Sequence, residues 1–199
     1  MDNDKYRSHL NDEGEKNTVW RFGAPPNYDA VTKLFEEGRT KVWPPGSLEE
    51  KVQNLVKTWE MEIFHKKSFD DNKSLDPKKY TVSLNAEETA DSSHIAFTTA
   101  FPRGFAVEIL QVYSGPPVIV YKFRHWGYME GPFKGHAPTG EMVELFGIGI
   151  FELDEQEKII KTELFFDRGV LLGGLLRGAS VDSSTEAAVS TCPILRNTG

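Results

Sequence analysis

The sequence contains a single cysteine, Cys192, so it cannot form an internal disulfide. That usage is typical of a reducing compartment, and we expect a cytoplasmic protein. No run approaches the ~18 consecutive apolar residues that a membrane-spanning helix needs. Residues 1–16 are polar and lack the apolar stretch of a secretory signal. The sequence therefore predicts a protein that neither crosses a membrane nor is secreted.

An excess of positive charge is also missing. The chain has 23 Lys and Arg against 30 Asp and Glu, a formal charge of −7. Broad nucleic-acid binding requires Lys and Arg to displace phosphate counterions, so we expect no nucleic-acid partner.

Motifs for metals, phosphates and activated serines are absent from the sequence. The five histidines show no ligand-type spacing such as a helical i, i+4 pair, and no metal site is predicted. Gly127, Gly131 and Gly135 do not form a phosphate-binding loop, because no helix pattern follows them. No G-x-S-x-G element supports serine hydrolase chemistry. We therefore expect no cofactor.

The composition that remains is that of one folded domain. Hydrophobic residues make up 39% and aromatic residues 12% of the 199 positions, enough for a single sizeable core. Residues 1–24 are charged and aperiodic, which predicts a loosely attached N-terminal arm. The domain is predicted over 25–178, and the small, polar residues 179–199 are predicted to form a flexible tail.

Two helices are predicted in the first third of the chain. Asn27 is a candidate N-cap for the first, and Gly38 suits its end. Ser47 and Glu50 form a capping box at the start of the second, whose apolar residues recur at helical spacing to about residue 66. Trp59 lies in that apolar stripe, either as a core residue or as a ligand contact.

The second half of the chain has the pattern of β-strands. A short strand is predicted at 80–85, and two hairpins at 105–113 with 118–128 and at 141–153 with 158–166. Residues 86–104 fit a helix ending near Phe101 or a strand, and we favour the helix. Helices followed by four antiparallel strands predict an α+β fold, with the sheet wrapped around its helices.

Two segments carry a family resemblance. The first segment is WRFGAPPNYDAVTKLFEEGRTKVWPPGSLEEKVQNLVKTWEMEIFHK. The second is the strand region through the Pro138-Thr139-Gly140 turn, Asp167 and Val170-Leu171-Leu172. Both resemble the plant pathogen-related (pathogenesis-related family) proteins. These are similar to the SnoaL-like branch of the NTF2-like superfamily. The resemblance extends from Tyr6 to about Gly178.

The resemblance implies an α+β cone with a pocket between the helices and the concave face of the sheet. SnoaL-like relatives commonly form dimers, so it also implies a homodimer through the sheet. Some relatives cyclise or isomerise polyketide-like substrates with an Asp as acid or base, and others only bind small molecules. Members of the plant family carry some thirty or more residues between the short strand and the next helix; here Asn85 continues directly into Ala86.

Asp167 is the first catalytic candidate. It follows Leu164-Phe165-Phe166 at the end of the last predicted strand, and burial among aromatic rings raises the pKa of a carboxyl group towards neutrality. In a regular strand Asp167 lies on the polar face, so either the pocket is on that face or a bulge redirects the side chain. The alternative is that Asp167 caps the following turn or pairs with Arg168.

His136 is the second candidate, because histidine changes its charge near physiological pH; the alternative is an ordinary loop side chain. His125 is interpreted as structural. Aromatic residues are the predicted pocket walls, since small-molecule sites are mostly apolar. They are Trp59, Trp126, Tyr128, Phe146 and Phe165.

Two functions remain open from the sequence. The first is a plant defence-associated protein that binds a small hydrophobic metabolite and isomerises or cyclises it by proton transfer through Asp167 and His136. The second is a non-enzymatic pathogen-related module that binds a ligand or a protein partner.

Overall fold

The computed structural model describes residues 4–10, 12–85, 87–88 and 99–180. Within these ranges the helices are α1 (Asp29–Gly38), α2 (Leu48–His65) and α3 (Arg168–Leu175). The strands are β1 (Thr81–Leu84), β2 (Glu87–Glu88), β3 (Ala106–Ser114), β4 (Val118–Tyr128), β5 (Met142–Leu153) and β6 (Ile159–Phe166). The predicted α+β class is confirmed, with helices packed on one sheet.

The six strands form one sheet in the order β2-β1-β6-β5-β4-β3. Strands β3 to β6 form the antiparallel meander predicted from the two hairpins. Strand β1, however, pairs in parallel with β6, with Thr81 opposite Lys161. The sheet is therefore mixed: the four strands predicted to be antiparallel are antiparallel, and β1 adds a parallel pair that the sequence analysis did not specify. A parallel pair needs a long crossover, and here residues 85–158, which include β2 to β5, lie between the two strands.

Helix α2 begins as the capping box predicts, with one difference. The Ser47 hydroxyl accepts a hydrogen bond from the backbone N–H of Glu50 at 3.2 Å. The Glu50 carboxylate reaches back to the backbone N–H of Gly46, at 2.6 Å, instead of to that of Ser47. Both bonds satisfy N–H groups that would otherwise lack partners at the start of the helix.

The main core lies between α2 and one face of the sheet, which we call the inner face. Alternation along β4 places Ile119, Tyr121, Phe123 and His125 on this face. Tyr121 and Phe123 lie over Gly149 and Gly147 of β5, where a Cβ atom would overlap their rings. The two glycines therefore let two large rings lie flat against the neighbouring strand.

The opposite, outer face is covered near β3 by α1 and the N-terminal segment. Trp126 is 1% exposed and packs with Phe35 of α1 and with Ala106. The Tyr6 ring meets Phe35 edge-on at 5.1 Å, and its hydroxyl bonds the Glu36 carboxylate. The described part of residues 1–24 thus packs against the domain, whereas the sequence predicted a loosely attached arm.

The segment from 125 to 140 leaves the sheet after Tyr128 and returns at Met142. Gly131 donates to the backbone oxygen of Ala100 at 3.1 Å, and a Cβ at Gly131 would overlap the carbonyl of Thr99. Residues 99 and 100 are helical, but most of the short helix predicted to end near Phe101 lies outside the described residues. Of the predicted tail, 181–199 also lies outside them.

Candidate functional site

A histidine–glutamate pair lies between α2 and the inner face of β4. Nε2 of His125 is 3.1 Å from Oε1 of Glu60, and the two side chains are 18% and 21% exposed. Nδ1 of His125 is buried and has no hydrogen-bond partner among the described residues. The carboxylate favours the tautomer with the proton on Nε2, which leaves Nδ1 as an acceptor.

Aromatic rings enclose the imidazole on two sides. Phe105 stacks on His125 with ring centroids 5.3 Å apart and planes within 9° of parallel. Phe123 meets the same ring edge-on, also at 5.3 Å. The pair is therefore in an apolar setting, where a charged imidazolium depends on Glu60 for its stability.

Hydroxyl groups occupy the same face. The Tyr121 hydroxyl is buried without a hydrogen-bond partner among the described residues. Burial, together with the charge of Glu60 and with Tyr80, raises the pKa of Tyr121. Nearby, the indole N–H of Trp59 donates to Tyr80 at 2.9 Å, and the Tyr80 hydroxyl is 3.1 Å from Thr162 Oγ1. Burial raises the pKa of Tyr80 to about 12, so both phenols stay protonated at neutral pH.

These groups supply the parts of a proton-transfer site. An unprotonated imidazole nitrogen can accept a proton, and the adjacent carboxylate stabilises the resulting cation. A protonated phenol can donate a hydrogen bond to an oxygen that gains negative charge. Nδ1 and the Tyr121 hydroxyl are both buried, so a substrate reaches them only when neighbouring side chains move.

Asp167 has a different environment from the one predicted. Its side chain is exposed, and Oδ1 accepts hydrogen bonds from the backbone N–H groups of Gly169 at 2.7 Å and Val170 at 3.2 Å. Asp167 is thus the N-cap of α3, as the alternative interpretation of this residue had it. Arg168 donates to the backbone oxygen of Leu84 at 3.0 Å.

His136 lies in the loop after β4. Its Nδ1 is 2.9 Å from the backbone oxygen of Gly178, and its backbone pairs with Phe133 and Ser180. These contacts hold the segment after α3 against the loop. Among the described residues, no contact joins His136 to Asp167.

The predicted wall residues lie on both faces of the sheet. Trp59 belongs to the inner core, whereas Trp126 and Tyr128 line a cleft on the outer face. Phe146 and Phe165 are 49% and 38% exposed on the outer face. Since side chains on opposite faces cannot line one pocket, the five residues do not form a single site.

Within the described ranges, no three His, Cys, Asp or Glu side chains group in a way that could hold a metal ion. In the same part of the chain, no helix is both long and apolar enough to cross a membrane.

Comparison with known proteins identifies the family. The chain is 48% identical over 228 aligned positions to a Hordeum vulgare protein named pathogen-related protein, covering 97% of this chain and 95% of the relative. The chain belongs to the pathogen-related protein family. The alignment is 29 positions longer than the 199-residue chain, so the family relative carries residues with no counterpart here. No family model matches the sequence.

Solved structures to which this family member is similar include a candidate SnoaL-like polyketide cyclase from Jannaschia sp. CCS1. The identity is 18%, the match covers 70% of this chain and 99% of the other, and the TM-score is 0.48. A candidate polyketide cyclase from Acidithiobacillus ferrooxidans matches 69% of this chain and 100% of its own at 15% identity, with a TM-score of 0.49.

Sequence reasoning did not single out Glu60, and it interpreted His125 as structural. Two signals were available. Glu60 directly follows Trp59 in α2, and His125 alternates with Tyr121 and Phe123 on the strand face that the core covers. The contact between them joins residues 65 positions apart, and no local pattern encodes it.

Proposed function

We propose that this pathogen-related family member binds a small hydrophobic metabolite on the inner face and catalyses its isomerisation or cyclisation by proton transfer, without a cofactor. The observation that carries the proposal is the His125–Glu60 pair with its unpartnered Nδ1. The family name of its relative supports a role in plant defence. The single cysteine supports a cytoplasmic location.

In the proposed reaction, Nδ1 of His125 takes a proton from a carbon next to a substrate carbonyl. Glu60 holds the imidazole in the required tautomer and stabilises its charged form. The Tyr121 hydroxyl donates a hydrogen bond to the enolate oxygen that develops. Return of the proton from His125 to a different carbon gives isomerisation. Attack of the enolate carbon on a second carbonyl gives cyclisation, and the alkoxide that forms takes the proton back from His125.

Exchange of carbon-bound hydrogen for deuterium tests this chemistry without knowledge of the natural substrate. A panel of aromatic β-keto compounds is incubated with the protein in D₂O, and NMR measures the exchange. We expect His125→Gln to slow exchange by about 10²-fold or more, because a general base contributes that much. Glu60→Gln is expected to slow it less, since it removes only the partner of the base.

Asp167 provides the rival assignment of the base. Asp167→Asn keeps the cap of α3, because asparagine is also a good N-cap, but removes the acid–base group. We expect this variant to exchange at the wild-type rate. If Asp167→Asn lost exchange and Glu60→Gln did not, Asp167 would be the base instead of His125. His136→Gln would then test whether His136 assists Asp167, as the sequence predicted.

The second candidate function is a non-enzymatic module that associates through the outer face of the sheet. Its support is the pair of exposed rings Phe146 and Phe165 on neighbouring strands, together with the tight side-chain packing around His125. Exposed aromatic rings are typical of protein interfaces. Analytical ultracentrifugation would then show a wild-type dimer, and the Phe146→Ser, Phe165→Ser double variant would be a monomer. A monomeric wild type would contradict a homodimer through this face.

A further inference from the structure

A cleft separate from the proton-transfer site lies on the other side of β4. It encloses about 330 Å³ between the C-terminal end of α1, the start of β5 and the outer face of β4. Alternation along β4 directs Trp126 and Tyr128 away from the face that carries His125. The residues that shape the cleft are Leu34, Gly38, Arg103, Arg124, Trp126 and Tyr128.

Arg103 lines the cleft and has a donor that no described residue accepts from. Its Nε and Nη2 donate to the two oxygens of Glu130 at 2.8 and 2.7 Å, a bidentate pair. Nη1 has no hydrogen-bond acceptor among the described residues. The guanidinium carbon is 4.6 Å from the centre of the Tyr128 ring, so the ring supports the cation.

Arg124 also has a donor to spare. Nε donates to Glu144, and Nη1 donates to the backbone oxygen of Gly38 at 2.9 Å and lies 3.4 Å from Glu108. Nη2 has no acceptor in the described part of the chain. The Arg124 side chain is 12% exposed, and its guanidinium lies 4.2 Å from the centre of the Trp126 ring.

The indole N–H of Trp126 is the third donor. The side chain is 1% exposed, yet Nε1 bonds no acceptor within the described ranges. Its edge lies against Gly38, where a Cβ would be only 2.8 Å from Nε1. The absence of a side chain at Gly38 thus leaves room at the edge of the indole.

The carboxylates next to the cleft are already bonded. Buried Glu108 accepts from the backbone N–H of Lys41 at 2.6 Å and from Thr40, and Glu130 and Glu144 accept from the two arginines. Glu37 also lines the cleft, but its side chain is 63% exposed and lies 3.8 Å from Lys33 Nζ, so its charge is screened. The cleft therefore has three donors without acceptors beside aromatic and aliphatic surface.

We propose that this cleft binds a small planar organic anion, an aromatic carboxylate. The carboxylate would accept from Arg103 Nη1, Arg124 Nη2 and Trp126 Nε1, and the ring would lie against Leu34 and Tyr128. Charge-assisted hydrogen bonds to guanidinium groups provide the affinity for an anion, and the apolar walls select for a ring.

Benzoate is the probe, with benzamide as its uncharged analogue of the same shape. Binding is followed by calorimetry and by the indole N–H signals in ¹H–¹⁵N spectra. The indole N–H groups of Trp43 and Trp59 donate to Ile109 and Tyr80 at 2.9 Å, so neither is free to bind. The fourth tryptophan, Trp20, packs with Leu10 and Met61 and does not line the cleft. We expect benzoate to bind at least tenfold more tightly than benzamide and to shift the Trp126 signal, which Gly38→Ala identifies.

Variants separate the cleft from general charge effects. Arg103→Met is expected to weaken benzoate binding about tenfold, as expected for loss of a hydrogen bond to a charged group. Gly38→Ala is expected to weaken it by crowding the indole. Arg177→Met is the matched control, because Arg177 is exposed and pairs with Glu141 away from the cleft.

Three results would overturn the proposal: equal affinity for benzamide, an equal loss in Arg177→Met, or tighter binding of benzyltrimethylammonium than of benzoate. Glu60→Gln tests independence from the proton-transfer site. We expect this variant to bind benzoate as the wild type does, and a parallel loss of benzoate binding would place the anion on the inner face instead.

Discussion

Replacing Lys66 by methionine tests whether a buried charge network anchors the N-terminal segment to α2. Lys66 Nζ is fully buried and lies 3.0 Å from both Glu62 Oε1 and Glu15 Oε2. It also donates to the backbone oxygen of Asp71 at 2.9 Å. Methionine keeps most of the volume and removes the cation, so the substitution isolates the charge.

The expected loss of stability follows from the hydrogen bonds and ion pairs that Glu62 and Glu15 keep after the substitution. Glu62 is 0% exposed and keeps hydrogen bonds from the backbone N–H groups of Lys73 at 2.8 Å and Ser74 at 2.9 Å. Glu15 keeps Lys73 Nζ at 2.5 Å. Two buried carboxylates nevertheless lose their shared cation, and breaking a buried pair from one side costs about 3–5 kcal/mol. We expect Lys66→Met to lower the free energy of unfolding by that amount at pH 7.

Urea unfolding measured from pH 7 to pH 4 gives the second part of the test. Burial raises the pKa of Glu15, but hydrogen bonds from Lys73, Thr18 and Lys66 outweigh it and hold the pKa below the ordinary 4.5. In the wild type the carboxylate therefore stabilises the fold above its ordinary pKa, and this contribution is lost as pH falls through the lowered value. In Lys66→Met the Glu15 carboxylate has lost Lys66 as a partner, so its protonation costs less stability than in the wild type. The difference in the free energy of unfolding between the two proteins should therefore shrink towards pH 4.

Lys16→Met is the control, because Lys16 pairs with Glu13 in an ion pair whose side chains are 72% and 93% exposed. Exposed pairs contribute roughly 0–1 kcal/mol, so this variant should unfold nearly as the wild type does. A loss below about 1 kcal/mol in Lys66→Met, or one that does not change with pH, would refute the reasoning.

Three further predictions concern packing, capping and a buried amine. Gly149→Ala should lower the free energy of unfolding by about 1–3 kcal/mol, because the added Cβ overlaps buried Tyr121. Gly173→Ala, in open space on α3, should raise it by about 0.5–1 kcal/mol, and urea unfolding compares the two variants. Asp167→Ala should lower the melting temperature through a loss of about 1 kcal/mol of capping, and Asp167→Asn should leave it almost unchanged. Burial lowers the pKa of Lys57 from 10.5 to about 6, so folding removes a proton across that window and wild-type stability rises with pH there. Lys57→Met should therefore stabilise by roughly 1–4 kcal/mol at pH 7, and the same gain at pH 10 would contradict this.

Local patterns predicted the elements of the fold well. The Ser47 hydroxyl and the periodic apolar residues behind it determine α2, and alternation with turn residues determines the four strands from β3 to β6. The parallel pairing of β1 could not be predicted in this way. It depends on hydrogen bonds to β6, a strand 80 residues further along the chain, where Thr81 meets Lys161.

The candidate site was less predictable than the fold, for a physical reason. Periodicity gives the face on which His125 lies but not which residue of α2 it meets, because helix rotation and sheet register decide that together. Asp167 shows the converse. A carboxylate before a helix has backbone N–H groups within reach, so its local role as a cap could be stated from sequence, and the structure shows it.

The parallel pairing of β1 with β6 also affects how the chain folds during synthesis. The β3–β4 and β5–β6 pairs close through short hairpins, whose contacts form early because little loop entropy is lost. Strand β1 leaves the ribosome before its parallel partner β6, which ends at Phe166. The edge of β1 that pairs with β6 therefore stays exposed until the last strand emerges, and chaperone binding to nascent chains should concentrate there.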